Sequence, residues 1–138
     1  MIKRLVFIVM FLFALPCWAA NLQIHEAWIK DLPAVVPVRA GYMTIVNRQA
    51  QKVIIESLVS ESFARIEIHQ TVEDNGLMSM RPVELLTIEP GETLKLAPGG
   101  MHLMMMNPLK PLKPGNKIAV TISYNDQSTQ TIELIVRK

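Results

Sequence analysis

Cysteine, helical periodicity and charge of one sign are all scarce in this chain, and each shortage removes a class of protein. The 138 residues contain one cysteine, Cys17. A single thiol builds no disulfide framework, no cysteine-rich zinc site and no thiol-reductase pair. Lysine and arginine number 14 against 12 acidic residues, with no basic block. Nothing therefore points to nucleic acid or to an anionic membrane surface. No stretch holds a helical period over three turns. Ser-His-Asp and Cys-His arrangements, a phosphate loop and a suggestive pair of carboxylates are also missing, so the chain is not expected to be an enzyme. Its length allows one domain.

The amino terminus reads as an export leader. Met1-Ile2-Lys3-Arg4 is a short basic start, Leu5 to Leu15 an apolar run, and Pro16-Cys17-Trp18-Ala19-Ala20 leads into small residues. The run is shorter than the ~20 residues that a permanent bilayer span needs, so stable membrane insertion after cleavage is not expected. Cleavage is expected after Ala19, with Ala20 as the alternative. This divides the chain into a signal peptide, 1–19, and one domain, 20–138. Cys17 raises the alternative of a lipid anchor. The residues before it, Ala14-Leu15-Pro16, lack a leucine three positions upstream and place proline where a small residue is expected. Cys17 is therefore expected to leave with the leader. The remaining chain has 12 basic and 12 acidic residues and no cysteine, and its seven methionines include four between Met101 and Met106.

Short β-patterned runs fill the rest. Asn21 to Lys30 alternates irregularly, with Leu22, Ile24, Ala27 and Ile29 against Gln23, His25 and Lys30. Pro33 and Pro37 mark a loop. Strands are expected over Ala40–Asn47, Lys52–Ser60 and Ala64–Gln70. Asn75-Gly76 supplies a tight turn into Leu77–Arg81. Short strands follow at Glu84–Ile88, Thr93–Leu96 and Met101–Met106. A terminal hairpin pairs Lys117–Tyr124 with Thr129–Val136 across Asn125-Asp126. About nine short strands with regular turn signals predict an all-β fold, a Greek-key sandwich or barrel.

Strand phase separates packing residues from candidate ligands, because neighbours along a strand point to opposite faces. Ile66 and Ile68 share one face, while Arg65, Glu67 and His69 share the other. If Leu103 and Met105 fill the core, then His102, Met104 and Met106 point outward. A lone histidine is ordinarily structural, and methionine is ordinarily core filler. An outward thioether beside an outward histidine calls for another explanation. Together, His69, Met80, His102 and Met104 offer two imidazoles and two thioethers, a neutral donor set suited to cuprous copper. Met78 shares a face with Met80 and is an alternative to it. Met106 could guard the site, and Met101 and Met105 are expected to pack. His25 is expected to be a strand residue, and Arg65 and Glu67 a solvated face.

The spacing from His69 to Met80, His102 and Met104 resembles that of the periplasmic copper chaperone family PCuAC. Further blocks carry the resemblance: Ala27-Trp28, Gly41-Tyr42-Met43-Thr44-Ile45-Val46-Asn47, Glu67-Ile68-His69, Met80-Arg81-Pro82 and Pro98-Gly99-Gly100-Met101-His102-Leu103-Met104. They extend over essentially the whole chain after the leader. One departure is Gln70, where family members often carry methionine. The resemblance implies a cupredoxin-like β-sandwich that binds one Cu(I) through His69, Met80, His102 and Met104. It implies delivery of copper in the periplasm to copper-accepting proteins of cytochrome c oxidase assembly, notably the CuA centre. A blue-copper electron carrier would need a cysteine thiolate that the exported chain lacks. Two alternatives remain: an exported interaction module with a methionine-rich docking patch, and a copper-resistance or storage protein.

Overall fold

The structure is a computed structural model, and it describes residues 19–138. The leader and the Cys17 alternative fall on residues 1–18 and lie outside the described part. Ten strands follow one another: β1 (Gln23–Lys30), β2 (Val38–Val46), β3 (Val53–Val59), β4 (Phe63–Asp74), β5 (Leu77–Pro82), β6 (Leu86–Ile88), β7 (Thr93–Leu96), β8 (Met101–Pro108), β9 (Lys117–Tyr124) and β10 (Thr129–Arg137). The all-β expectation holds: each of the ten β-patterned runs is a strand, against an expected total of about nine. β4 and β8 each run a few residues past their expected ends.

The strands join in the order β5-β4-β8-β2-β1-β10-β9-β3-β6, with β7 beside β2. A single pairing, Leu58 with Ile66, links β3 to β4 and closes the sandwich into a flattened barrel. β1 pairs parallel with β10 and antiparallel with β2, which ties the two chain ends together. β5 and the three-residue β6 are the outer strands of this path.

The interior follows the alternation of the strands. Ile29, Ile45, Ile55, Ile88, Leu103, Met105, Val120, Ile122 and Leu134 are fully buried, and each such side chain contributes about 1.5–3 kcal/mol by leaving water. The irregular pattern of the first strand has a local cause. The β1–β2 register shifts between His25 and Trp28, and Glu26 takes a positive φ of 50°. This bulge adds one residue, so the inward phase passes from Leu22 and Ile24 to Ile29. His25 is an exposed strand residue, as expected.

Two close fits set the position of β8. Gly41 on β2 faces Leu103, and a Cβ there would lie 3.1 Å from Met105 Sδ and 3.2 Å from Leu103 Cβ. The absence of a side chain lets β2 and β8 lie close over the core. At the same end, the buried Arg39 donates to the carbonyls of Leu32, Pro33, Val36 and Val38. Those bonds hold the Asp31–Pro37 loop against the barrel.

Candidate metal centre

The candidate ligands stand on the outer face of β8, β4 and β5. β4 and β8 are antiparallel, and His69 lies directly opposite His102, Glu67 opposite Met104 and Arg65 opposite Met106. The intervening residues go inward: Ile66, Ile68, Leu103 and Met105 are all buried. The expected phase of both strands is thus observed. On the other side of β4, the Asn75-Gly76 turn has positive φ at both residues, 51° and 78°. This is the backbone a two-residue hairpin loop needs. It fixes the β4–β5 register, with Met80 opposite Thr71 and Pro82 opposite His69.

Met80 is therefore a diagonal cross-strand neighbour of His69, a separation that long side chains can bridge. Met104 stands two residues beyond His102 on the same face. The histidines form the centre of the arrangement, and the two methionines flank it on opposite sides. Met80 is 58 % exposed, Met104 is half-buried and His102 is only 7 % exposed. His102 points away from the core, as its phase requires, yet it is covered. The site is shallow at its methionine rim and closed around its imidazoles. Met78 also lies on this face, opposite Glu73 and 63 % exposed. Met105 is core, and Met101 packs against the core edge.

The two rings are held with opposite nitrogens engaged. His102 Nδ1 lies 3.2 Å from the Gly100 carbonyl. A carbonyl only accepts, so Nδ1 carries the hydrogen and the neutral ring keeps its lone pair on Nε2. Gly99, at φ 83°, makes the turn that brings this carbonyl beneath the ring. His69 Nε2 lies 2.7 Å from the Glu67 carboxylate. It donates there, which leaves the lone pair on Nδ1. His69 Nδ1 is buried and has no hydrogen-bond partner among the described residues. The ring centroids are 6.2 Å apart and inclined at 46°.

Glu67 also pairs with Arg65 through its other oxygen. Strand phase alone makes Glu67 and Arg65 a solvated face. Arg65 is indeed exposed, but Glu67 orients His69. Its signal in the sequence was its place two residues before His69, on the same face of the strand. Burial holds the His69 pKa below the usual 6.5, and the Arg65 guanidinium adds to the shift. A neutral imidazole with a free, buried lone pair suits a metal ion, which competes with protons for that site.

A closed β-sandwich with this topology is the fold of PCuAC domains. It superposes on the copper-bound PCuAC domain from PmoF2 with a TM-score of 0.72 and 18% identity, covering 87% of this chain and 95% of that one. It also matches the CuI-DR1885 solution structure from Deinococcus radiodurans, with a TM-score of 0.71, 26% identity, and 88% and 82% of the two chains covered. The chain belongs to the family described as "Putative lipoprotein LpqE-like", whose model matches residues 22–136. It is 32% identical over 120 residues to "Putative lipoprotein Lxx21020" of Leifsonia xyli subsp. xyli (strain CTCB07), covering 86% of this chain and 71% of that protein.

Proposed function

We propose that this domain binds one cuprous ion through His69, Met80, His102 and Met104 and hands it to copper-accepting proteins outside the cytoplasm. The observation that carries this reading is the buried, unpartnered Nδ1 of His69, a residue paired directly with His102 across the ladder. A buried polar atom without a partner costs about 1–3 kcal/mol, and a metal ion would supply the missing bond. Two structural relatives, the copper-bound PCuAC domain from PmoF2 and CuI-DR1885, support the choice of ion. The donor chemistry agrees. Thioether sulfur favours cuprous over harder ions, and unlike thiolates it forms no disulfides in an oxidising compartment. Neutral ligands leave the ion's charge uncompensated, which favours the monovalent state and exchange with an incoming ligand.

Delivery to the CuA centre of cytochrome c oxidase, a periplasmic location and a leader over residues 1–19 belong to the same proposal. They rest on the leader pattern and on the family resemblance. The acceptor would be a protein with a vacant copper site, and the domain itself would act as a carrier, not as an enzyme.

A second reading has its own observation. Leu77, Met78 and Met80 are all well exposed on the outer strand β5, as an adaptable docking patch would be. Storage fits less well, since one ion per chain is little capacity. Anaerobic titration with Cu(I) against a competing chelator separates the readings. A tight one-to-one site that is lost in both His102→Ala and Met104→Ala supports the carrier. Unchanged binding in both variants would leave the docking patch. X-ray absorption of the loaded domain should count two nitrogen and two sulfur neighbours.

A further inference from the structure

Far from the histidines, the first described residues run into a cluster of acceptors. The Ala20 backbone nitrogen lies 2.8 Å from Asp126 Oδ2 and 3.1 Å from Ser128 Oγ. The Ser128 hydroxyl donates to Asp126 Oδ1 at 2.5 Å, and the Ser128 amide reaches the same oxygen at 2.9 Å. The hydroxyl hydrogen is therefore committed to Asp126, and the Ser128 lone pairs are what Ala20 meets. Two acceptors, one of them anionic, converge on a single nitrogen. A peptide N–H has one hydrogen and can satisfy only one of them well. A free α-ammonium has three and carries the matching charge.

The fastening begins at this residue. Ala20 is buried within the core cluster, whereas Ala19 is exposed. Leu22 is buried too, and the Gln130 side-chain amide grips its backbone on both sides. Oε1 accepts from Leu22 N at 3.0 Å, and Nε2 donates to Leu22 O at 2.9 Å. Tyr124 fixes that amide by donating to Oε1 at 2.6 Å. Asp126, Ser128 and Gln130 alternate along the β9–β10 turn and the start of β10, so one short stretch clasps residues 20–22. The bond ahead of Ala20 also has the residues a leader peptidase accepts. Cys17 and Ala19 are the small residues at the third and first positions before the cut. Moving the cut one residue on would put Trp18 in the third position and remove Ala20.

We infer that Asp126 and Ser128 form a seat for the free α-ammonium of Ala20, created when the chain is cut between Ala19 and Ala20. A leader peptidase would add water across that bond, and the leader would depart ending in the Ala19 carboxylate. The new Ala20 amine then takes a proton and forms an ion pair with Asp126. Processing would thus complete the fold as well as release the domain. This inference is independent of the copper reading, because none of these residues touches the β4–β8 face.

Two measurements test it. The full chain, expressed with its own leader and recovered after export, should have the intact mass of a protein starting at Ala20. A mass starting at a lipid-modified Cys17, or at any other residue, would overturn the inference. The second is a thermal double-mutant cycle on the protein starting at Ala20. One added glycine before Ala20 moves the charge off the seat and should lower the melting temperature by about 2–4 °C. In Asp126→Asn the same addition should change it by less than about 1 °C. Equal shifts in the two backgrounds would mean that Asp126 does not sense the amine, and the seat would be rejected.

Discussion

His69 and His102 face each other across one antiparallel pair with opposite ring nitrogens committed, Nε2 of the first to Glu67 and Nδ1 of the second to Gly100. Each ring is left with one lone pair. The two anchors differ in kind. The Gly100 carbonyl is part of the backbone, whereas the Glu67 carboxylate can be removed by substitution. In Glu67→Ala, His69 loses its orientation, and cuprous affinity should fall about 10–100-fold. In Glu67→Gln the amide oxygen still accepts from Nε2, and most of the affinity should return. Competitive titration measures both, with circular dichroism as the control for folding. Wild-type affinity in the alanine variant would show that His69 needs no partner.

Acid should act on the same ring. The folded-state pKa of His69 lies below its unfolded value, lowered first by burial and then by Arg65. Between the two values the unfolded chain holds a proton that the folded chain does not, so metal-free stability rises with pH through this window. The full contribution is present above about 6.5, and stability declines as pH falls below that. Copper affinity should decline in the same direction. The His69 component should appear at lower pH than for a free imidazole. Arg65→Gln removes the second cause, so the decline should begin at higher pH. Chelator competition at a series of pH values would reveal the displacement, and an unmoved curve would count against the role of Arg65.

Gly41 is a packing requirement. A methyl group there would enter the space of Met105 Sδ, Leu103 Cβ and Leu134 Cδ2, all within 3.3 Å. Gly41→Ala should therefore destabilise the barrel by about 1–3 kcal/mol. Because β8 carries His102 and Met104, cuprous affinity should weaken with it. Urea unfolding gives the stability change. A variant as stable as the wild type would mean that β2 and β8 can separate freely.

Metal removal should leave the barrel intact. The core is made of apolar residues from all around the sandwich, and none of the proposed ligands belongs to it. Chelated protein should keep its β-type circular dichroism. Loading should raise the melting temperature, since a ligand present at 100 times its dissociation constant adds about 2.7 kcal/mol. Collapse of the β signal on chelation would contradict this.

The candidate face was legible because two strands alternate cleanly. Ile66 and Ile68 against His69, and Leu103 and Met105 against His102 and Met104, gave the phase of β4 and β8. Burial followed that phase except at His102, which faces outward yet is covered. The Asn75-Gly76 turn was equally plain, because few residue pairs accept positive φ twice in succession. Four features were not legible. The bulge at Glu26 was visible only as a broken alternation in β1. The parallel pairing of β1 with β10 joins residues over 100 positions apart, and no local pattern encodes it. The hydrogen bond from His69 to Glu67 depends on rotamers, which strand phase permits but does not specify. The same holds for Arg39, whose burial depends on four loop carbonyls gathering around it.

β5 has all six of its residues exposed and a partner on one side only. Strands of this sort fray at a small fraction of the free energy that global opening demands. The proposed Met80 ligand rides on this selvedge, while His69, His102 and Met104 sit on strands bonded along both edges. Peeling back a single ribbon would strip the ion of one sulfur without disturbing the imidazoles. The passenger could then step off toward a waiting acceptor while its vehicle stays whole.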